Sequence, residues 1–383
     1  MSQINVDAIR SANGTGDAIS LTAASNTCTA NITNFPHRNL LINGAMNISQ
    51  RYGTTSTNVA ADAHSYVLDR WMVSNSSGGG TFAVQQVEDG PAEFNYSHKV
   101  TTSVVDDGGA DSFCVMQQRI EGYNGNHLGF GTANAKTVTI SFWVKSSLTG
   151  TFGASLVAGN YDKMYVFQYT ISSANTWEKK TVTIAGPTSG GTYYKTNSRY
   201  CVLYIDLGSG SNAEASAANN WAATGTWMYG HRIAGNQKVS TNVNATWQIT
   251  GVQMEVSDYA TDFEHRSYGD ELTKCQRYFT RIGYGKQYAY VISGIMASST
   301  QPRCHLQLPT TMRAAPTATE VGSLIVDSET AAGQEVTGVV SSETSIDGGR
   351  LQFACNSHSA GAGQSIQIYT DTATSGLDFS AEL

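Results

Sequence analysis

The stretch Lys136-Thr-Val-Thr-Ile-Ser-Phe-Trp-Val-Lys145 decides the fold class. Val138, Ile140, Phe142 and Val144 fall on one face of an extended chain, and Thr137, Thr139, Ser141 and Trp143 on the other. A period of two with β-branched and aromatic residues predicts a strand with one buried face. The same pattern recurs outward from it. Phe82-Ala-Val-Gln-Gln-Val87, Ser97-His-Lys-Val-Thr-Thr102, Phe113 to Ile120 and Trp177 to Ile184 read as short strands between Gly and Asp turns. Arg199 to Asp206 is a two-sided apolar run, and Trp247 to Val256 closes the series. Many short strands at regular spacing predict an antiparallel β-sandwich or barrel and not βαβ units. Trp71, Trp143 and Trp247 lie in such segments and read as packing residues.

The chain has 383 residues, which suits two or three domains. Charged residues make up only 14% and there are 38 glycines, a composition of turns and strands with few strong helix formers. The net charge of −7 argues against nucleic acid, which needs a basic face. No apolar run approaches the ~20 residues that span a bilayer, and no signal peptide is visible at Met1. The six cysteines lie at long irregular spacings without a CxxC, so they read as reduced, packed thiols.

The predicted organisation is all-β. Residues 1–36 form a short amino-terminal segment, in which two strands joined by a turn at Asn13-Gly14 either lie on a partner or fray. Residues 37–268 form an antiparallel sandwich. Residues 269–280 form a linker helix, with Leu272, Cys275 and Phe279 on one face and Asp270 as cap. Residues 281–383 form a smaller β domain, with strands at Gln287 to Ile292, Arg303 to Leu308, Arg350 to Cys355 and Ser365 to Tyr369. The polar runs Ser74 to Gly80 and Gly208 to Asn220 read as flexible surface loops.

The sequence carries no GxSxG, HExxH, P-loop or GxGxxG motif, so no enzyme class is indicated. The histidines sit singly; His64 and His98 read as solvated or hydrogen-bonded. Asp106, Asp107 and Asp111 share a Gly-rich loop that offers oxygens for a structural calcium, although a solvated turn is the plainer reading. Glu255, Asp258, Asp262 and Glu264 read as acidic surface. No other cofactor is indicated. The aromatics are more suggestive. Tyr193, Tyr194, Trp221, Trp227 and Tyr229 lie in or beside long polar loops. Exposed Trp and Tyr stack on the C–H faces of sugars while neighbouring polar groups bond the hydroxyls; alternatively, the two tryptophans cap the core.

Several of these segments resemble a known family in combination. Arg38-Asn-Leu-Leu-Ile-Asn-Gly-Ala-Met-Asn-Ile-Ser-Gln-Arg51, Tyr66-Val-Leu-Asp-Arg-Trp71, Met116-Gln-Gln-Arg-Ile-Glu-Gly122, Ile249-Thr-Gly-Val-Gln-Met-Glu255 and the run Ala260 to Phe279 resemble the jelly-roll domain of bacteriophage tail-fibre proteins. The region around Trp177 to Thr183 is similar to carbohydrate-binding modules. Leu308 to Pro316 and Leu377 to Leu383 resemble the final domain of such fibres.

The resemblance implies a homotrimeric virion appendage, assembled in the host cytoplasm. Its amino-terminal segment would meet other tail or neck proteins, and its distal β domains bacterial surface glycan, without membrane insertion. Asp69 and Glu255 recur in the family pattern, at strand ends where structural hydrogen bonds explain them as well as a ligand does. The family's long repeat or coiled-coil shaft is missing here. The alternatives are a structural collar, nozzle or fibre-adaptor protein and a polysaccharide depolymerase, the latter requiring facing carboxylates.

Overall fold

The structure, a computed structural model, describes residues 8–10, 17–22, 27–30, 37–76, 80–106, 109–224, 230–328 and 331–383. The amino-terminal segment contributes three antiparallel strands, β1 (Ala8–Arg10), β2 (Asp17–Thr22) and β3 (Thr27–Ala30), where the sequence suggested two. The Asn13-Gly14 turn lies outside the described residues.

The sandwich begins with β4 (Thr57–Val59), β5 (Ala63–Leu68), β6 (Trp71–Ser76), β7 (Thr81–Val87), β8 (Ser97–Val104) and β9 (Phe113–Glu121). It continues with β10 (Val138–Ser146), β11 (Gly150–Ala158), β12 (Lys163–Ile171) and β13 (Glu178–Ile184). The last three are β14 (Arg199–Asp206), β15 (Trp221–Ala223) and β16 (Thr246–Glu255). Six strands form one sheet in the order β13-β10-β16-β8-β7-β4, and seven the other, β15-β12-β11-β14-β9-β6-β5. All pairings are antiparallel. The fold is therefore the all-β sandwich that the alternation predicts.

Val138, Ile140, Phe142 and Val144 are all buried in the core between the sheets, with Trp71 and Trp247. Both indoles reach a partner: Trp71 Nε1 donates to Asn43 O (2.9 Å) and Trp247 Nε1 to the Tyr169 hydroxyl (3.2 Å). Trp143, on the opposite face of β10, is half-buried. The seven-stranded sheet is covered on its outer face too. Val115, Val157, Val166, Val202 and Tyr204 pack there beneath Ala215, Ala222 and Ile233. Much of the run 208–220 is thus built into the fold and is not a free loop. Its small residues, such as the fully buried Ser209 and Ala213, fit closely over the sheet.

Residues 39–44 extend the six-stranded sheet beyond β8. Leu40 N donates to Met254 O, and Gly44 O accepts from Val252 N (both 2.9 Å). A Cβ at Gly44 would lie 2.1 Å from the Val252 carbonyl oxygen. Gly44→Ala is therefore expected to cost about 1–3 kcal/mol, because backbone must move to admit one methyl group. Urea denaturation checks this, and an unchanged midpoint would refute the close approach.

The helix runs Tyr268–Gln276, and its cap is Ser267, not Asp270. Ser267 Oγ accepts from Asp270 N and donates to the Asp270 carboxylate, a reciprocal arrangement like a capping box. Cys275 and Tyr278 are buried against Ile42 and Ile48, which pins the helix to the sandwich. Phe279, read as helical, instead opens β17 (Phe279–Ile282). Next come β18 (Tyr290–Ser298), β19 (Gln301–Gln307), β20 (Thr317–Val321) and β21 (Leu324–Ser328). The chain ends with β22 (Ala331–Ser345), β23 (Gly348–Cys355), β24 (Ser365–Thr370) and β25 (Gly376–Ser380). Strands β17-β25-β20 form a small sheet, and β18-β19-β23-β22-β21-β24 close into a barrel. Met296, Cys304, Leu324, Leu351, Phe353 and Ile368 fill its interior. The five cysteines whose side chains are described are all buried and unpaired.

Candidate functional site

Three of the five sequence candidates meet at one corner of the sandwich. Trp221 opens β15, at the edge of the seven-stranded sheet. Its ring packs against Phe130 (centroids 5.8 Å apart) and Tyr165 (5.5 Å), and its Nε1 donates to Ala185 O (2.7 Å). Tyr193 lies on the other side of Phe130 (5.7 Å) and against Tyr200 (5.2 Å). Its hydroxyl is buried without a hydrogen-bond partner, and burial pushes the phenol's pKa up. Tyr194 is exposed, with its hydroxyl on Asn160 Oδ1 (3.1 Å). Trp227 and Tyr229 lie outside the described residues.

Polar groups ring this corner. Thr192 donates to Asp162 from its backbone N–H (2.9 Å) and its hydroxyl (2.6 Å). Partial burial opposes the charge on Asp162, but these bonds outweigh it and hold the carboxyl below its ordinary pKa. Lys163 Nζ donates to Ser189 O. Half-buried aromatic rings beside an amide, a carboxylate and an ammonium form a surface that packs on C–H bonds and bonds hydroxyls. Trp221 and Tyr193 also cap the core, so they are structural residues whatever else they do.

Two of the three calcium-loop candidates have other partners. Asp106 is buried and accepts from the Ser112 hydroxyl (2.9 Å), whereas Asp111 is exposed and accepts from Asn212 Nδ2 (2.6 Å). Asp107 lies outside the described residues. Among the described residues no three His, Cys, Asp or Glu side chains gather as a metal-binding group.

In the second acidic cluster Asp258 and Asp262 are exposed, as the surface reading expects, but the two glutamates are not solvated surface. Glu255 is buried and accepts from Thr261 N (2.9 Å), the Thr261 hydroxyl (2.7 Å) and Gln253 Nε2 (2.9 Å). Glu264 accepts from the backbone N–H groups of His37 and Asn39. Both carboxylates staple the chain, which accounts for Glu255 without a ligand. Asp69 is likewise buried, taking a bond from Gln50 Nε2 (2.7 Å) with Arg51 at 3.6 Å. His98 is neither solvated nor hydrogen-bonded. It faces the core from β8, and both ring nitrogens are without a partner.

No family model matches the chain, and no curated protein matches it. Among solved structures, the enzymatically active domain of tailspike protein 4 from bacteriophage CBA120 is 12% identical over 58% of this chain, with a TM-score of 0.31. The match spans 22% of that tailspike chain. A family 11 carbohydrate-binding module from Clostridium thermocellum, solved with a β-1,3-1,4-mixed-linked tetrasaccharide, is 11% identical over 51% of this chain and 91% of its own, with a TM-score of 0.27. The CBM22-1 xylan-binding domain from Paenibacillus barcinonensis is 10% identical over 55% and 99%, at 0.24. The fold assignment rests on the strand pairing described above.

Proposed function

We propose that the chain is a non-enzymatic bacteriophage tail-fibre protein that attaches the virion to bacterial surface glycan as a homotrimer. Residues 1–36 face other tail or neck proteins. The observation that carries the glycan reading is the sandwich corner. There Trp221, Tyr193 and Tyr194, far apart in sequence from Phe130 and Asn160, converge with them beside Asp162. Virion attachment and trimerisation rest on the resemblance of residues 38–279 to fibre jelly rolls. Three linked copies turn a weak site into a strong one.

Light scattering behind a sizing column, together with calorimetric titration of bacterial lipopolysaccharide and capsular polysaccharide, tests this reading. Three times 40.9 kDa and polysaccharide binding weakened about tenfold by Trp221→Ala and Tyr194→Ala are expected, since each ring contributes on the order of 1 kcal/mol. Tyr194 is exposed, so its loss separates binding from folding. A trimer that binds no polysaccharide would point to the adaptor role instead.

A further inference from the structure

We propose that the outward face of β18, β24 and β21 is a second saccharide site, shaped for a neutral oligosaccharide. The proposal deepens the glycan reading above and rests on it, but it uses none of the residues of the sandwich corner.

The barrel has apolar residues inside, so alternate residues on these three strands point out. A groove of about 1000 Å³ crosses them, large enough for several sugar units and at the top of the range for ligand pockets. Strand register sets its chemistry. Ser293 lies opposite Gln367, and Gln367 opposite Asp327, giving a polar row across the three strands. Two residues along, Tyr290 lies opposite Tyr369, and Tyr369 opposite Ile325, giving an apolar row that enters the groove at Tyr290 and continues beyond its rim. Adjacent strands stand ~4.8 Å apart and the two rows ~7 Å apart. A pyranose lying on the tyrosines thus places its hydroxyls over Ser293, Gln367 and Asp327.

Tyr288 and Tyr290 are spare in the sense that the hydrophobic core does not use them. Tyr290 is 69% exposed and Tyr288 62%, and both meet the Tyr369 ring edge-on at 6.0 Å. The register shift between Tyr290 and Ile292 inserts an extra residue at Val291, and a bulge of this kind re-aims a side chain at a sheet surface. The polar row is equally uncommitted. The side chains of Ser293, Gln367 and Asp327 make no hydrogen bond or ion pair among the described residues. Ser328, at the groove wall, has its hydroxyl buried without a partner. A second protein surface would have to match each of these groups to avoid leaving buried polar atoms unsatisfied. A sugar brings both donors and acceptors. Asp327 in the groove, with Asp371 nearby at the end of β24, disfavours acidic sugars.

Calorimetric titration of the full chain with neutral hexasaccharides of glucose, mannose, galactose and N-acetylglucosamine tests the proposal. At least one should bind, and Tyr290→Ala and Gln367→Ala should each weaken it about tenfold. Both substituted residues are exposed, so the melting temperature serves as a folding control. Hydrogen exchange should show protection over 290–295 and 364–369 in the complex. Binding lost with Trp221→Ala and kept with Tyr290→Ala overturns the groove while leaving the glycan reading intact. Binding of lipopolysaccharide or capsular polysaccharide without binding of any neutral hexasaccharide does the same. Failure of both panels removes both claims. A Tyr290→Ala chain with altered mass but unaltered binding makes this face a contact between copies, and that also overturns the proposal.

Discussion

Replacing Glu382 by Ala is expected to destabilise the chain by about 3–5 kcal/mol, the range for removing one partner of a buried ion pair. Asp69-Arg70 is the turn between β5 and β6. Arg70 adopts a left-handed backbone there (φ 69°), and its side chain is fully buried between the sandwich and the C-terminal strands. Its guanidinium bonds the Glu382 carboxylate, donates to Arg119 O (2.6 Å) and stacks on the Tyr278 ring at 3.6 Å. Arg51 stands over Phe279 at 3.5 Å and meets the same carboxylate at 3.4 Å. One acid therefore answers two cations in a site largely screened from water, with Asp69 as a second acid for Arg51. Without it, both guanidiniums stay buried, with Asp69 as the remaining acid at hand.

Glu382 is also tied to the sandwich through Arg313, a residue of its own domain that reaches Asn197. Arg313 donates to Ala381 O (2.7 Å), Glu382 O (2.8 Å) and Asn197 O (2.9 Å). The junction should therefore unfold with the sandwich in a single transition, and Glu382→Ala should split that transition in two. Calorimetry and urea denaturation read both effects. The double variant Arg70→Met with Glu382→Leu should recover part of the loss, because a packed apolar pair replaces the Arg70–Glu382 ion pair while Arg51 keeps only Asp69. A single variant within about 1 kcal/mol of wild type would mean that water reaches the junction.

The strands that alternate could be read directly. β10, β14 and β16 have enough Val, Ile and aromatic residues for their pattern to outvote everything else. β11 could not be found this way, because Gly150 to Ala158 is mostly Gly, Ala and Ser, with low strand propensity. Its reason lies elsewhere in the chain. A Cβ on Gly153 would stand 2.7 Å from the Arg232 Cα, so the covering segment demands small residues there. The same cover misleads the reading of 208–220, whose composition is that of a linker but whose residues fill an outer layer. In the candidate site the sequence could single out Trp221 and Tyr193, but not that both would pack on Phe130. The groove tyrosines were legible in principle. In Gln287-Tyr-Ala-Tyr-Val-Ile292 and Ser365-Ile-Gln-Ile-Tyr369 the aromatic residues sit among alternating positions, but strand register alone brings them together.

His98→Leu should stabilise the chain at every pH, and the gain should grow with acidity. Burial drives the imidazole pKa of His98 down to about 3, from an ordinary 6.5, and does the same to His231, whose Nδ1 meets the Ser155 hydroxyl at 3.2 Å. A histidine with a depressed folded pKa binds its proton in the unfolded chain first, so its contribution to stability is lost as pH falls from 6.5 towards 3. Each pH unit in that window costs about 1.4 kcal/mol per histidine. Asp69 and Asp206 work in the opposite direction. Burial outweighs their arginine neighbours and lifts both carboxyls from 3.8 to about 6. Their contribution is present below 3.8 and lost as pH rises through 6, so acidification from 6 to 4 stabilises through them. Two histidines and two aspartates then nearly offset each other between pH 6 and 4. His98→Leu breaks that balance. At pH 7 the gain is about 1–3 kcal/mol, from removing two unsatisfied buried nitrogens. At pH 4.5 it should be larger by about 2.7 kcal/mol, two pH units at 1.36 kcal/mol each. Urea denaturation of both proteins from pH 7 to 4.5 measures the difference. A gain that does not change with pH would mean that His98 already carries its proton in the folded chain, and hence that a partner or water reaches its ring.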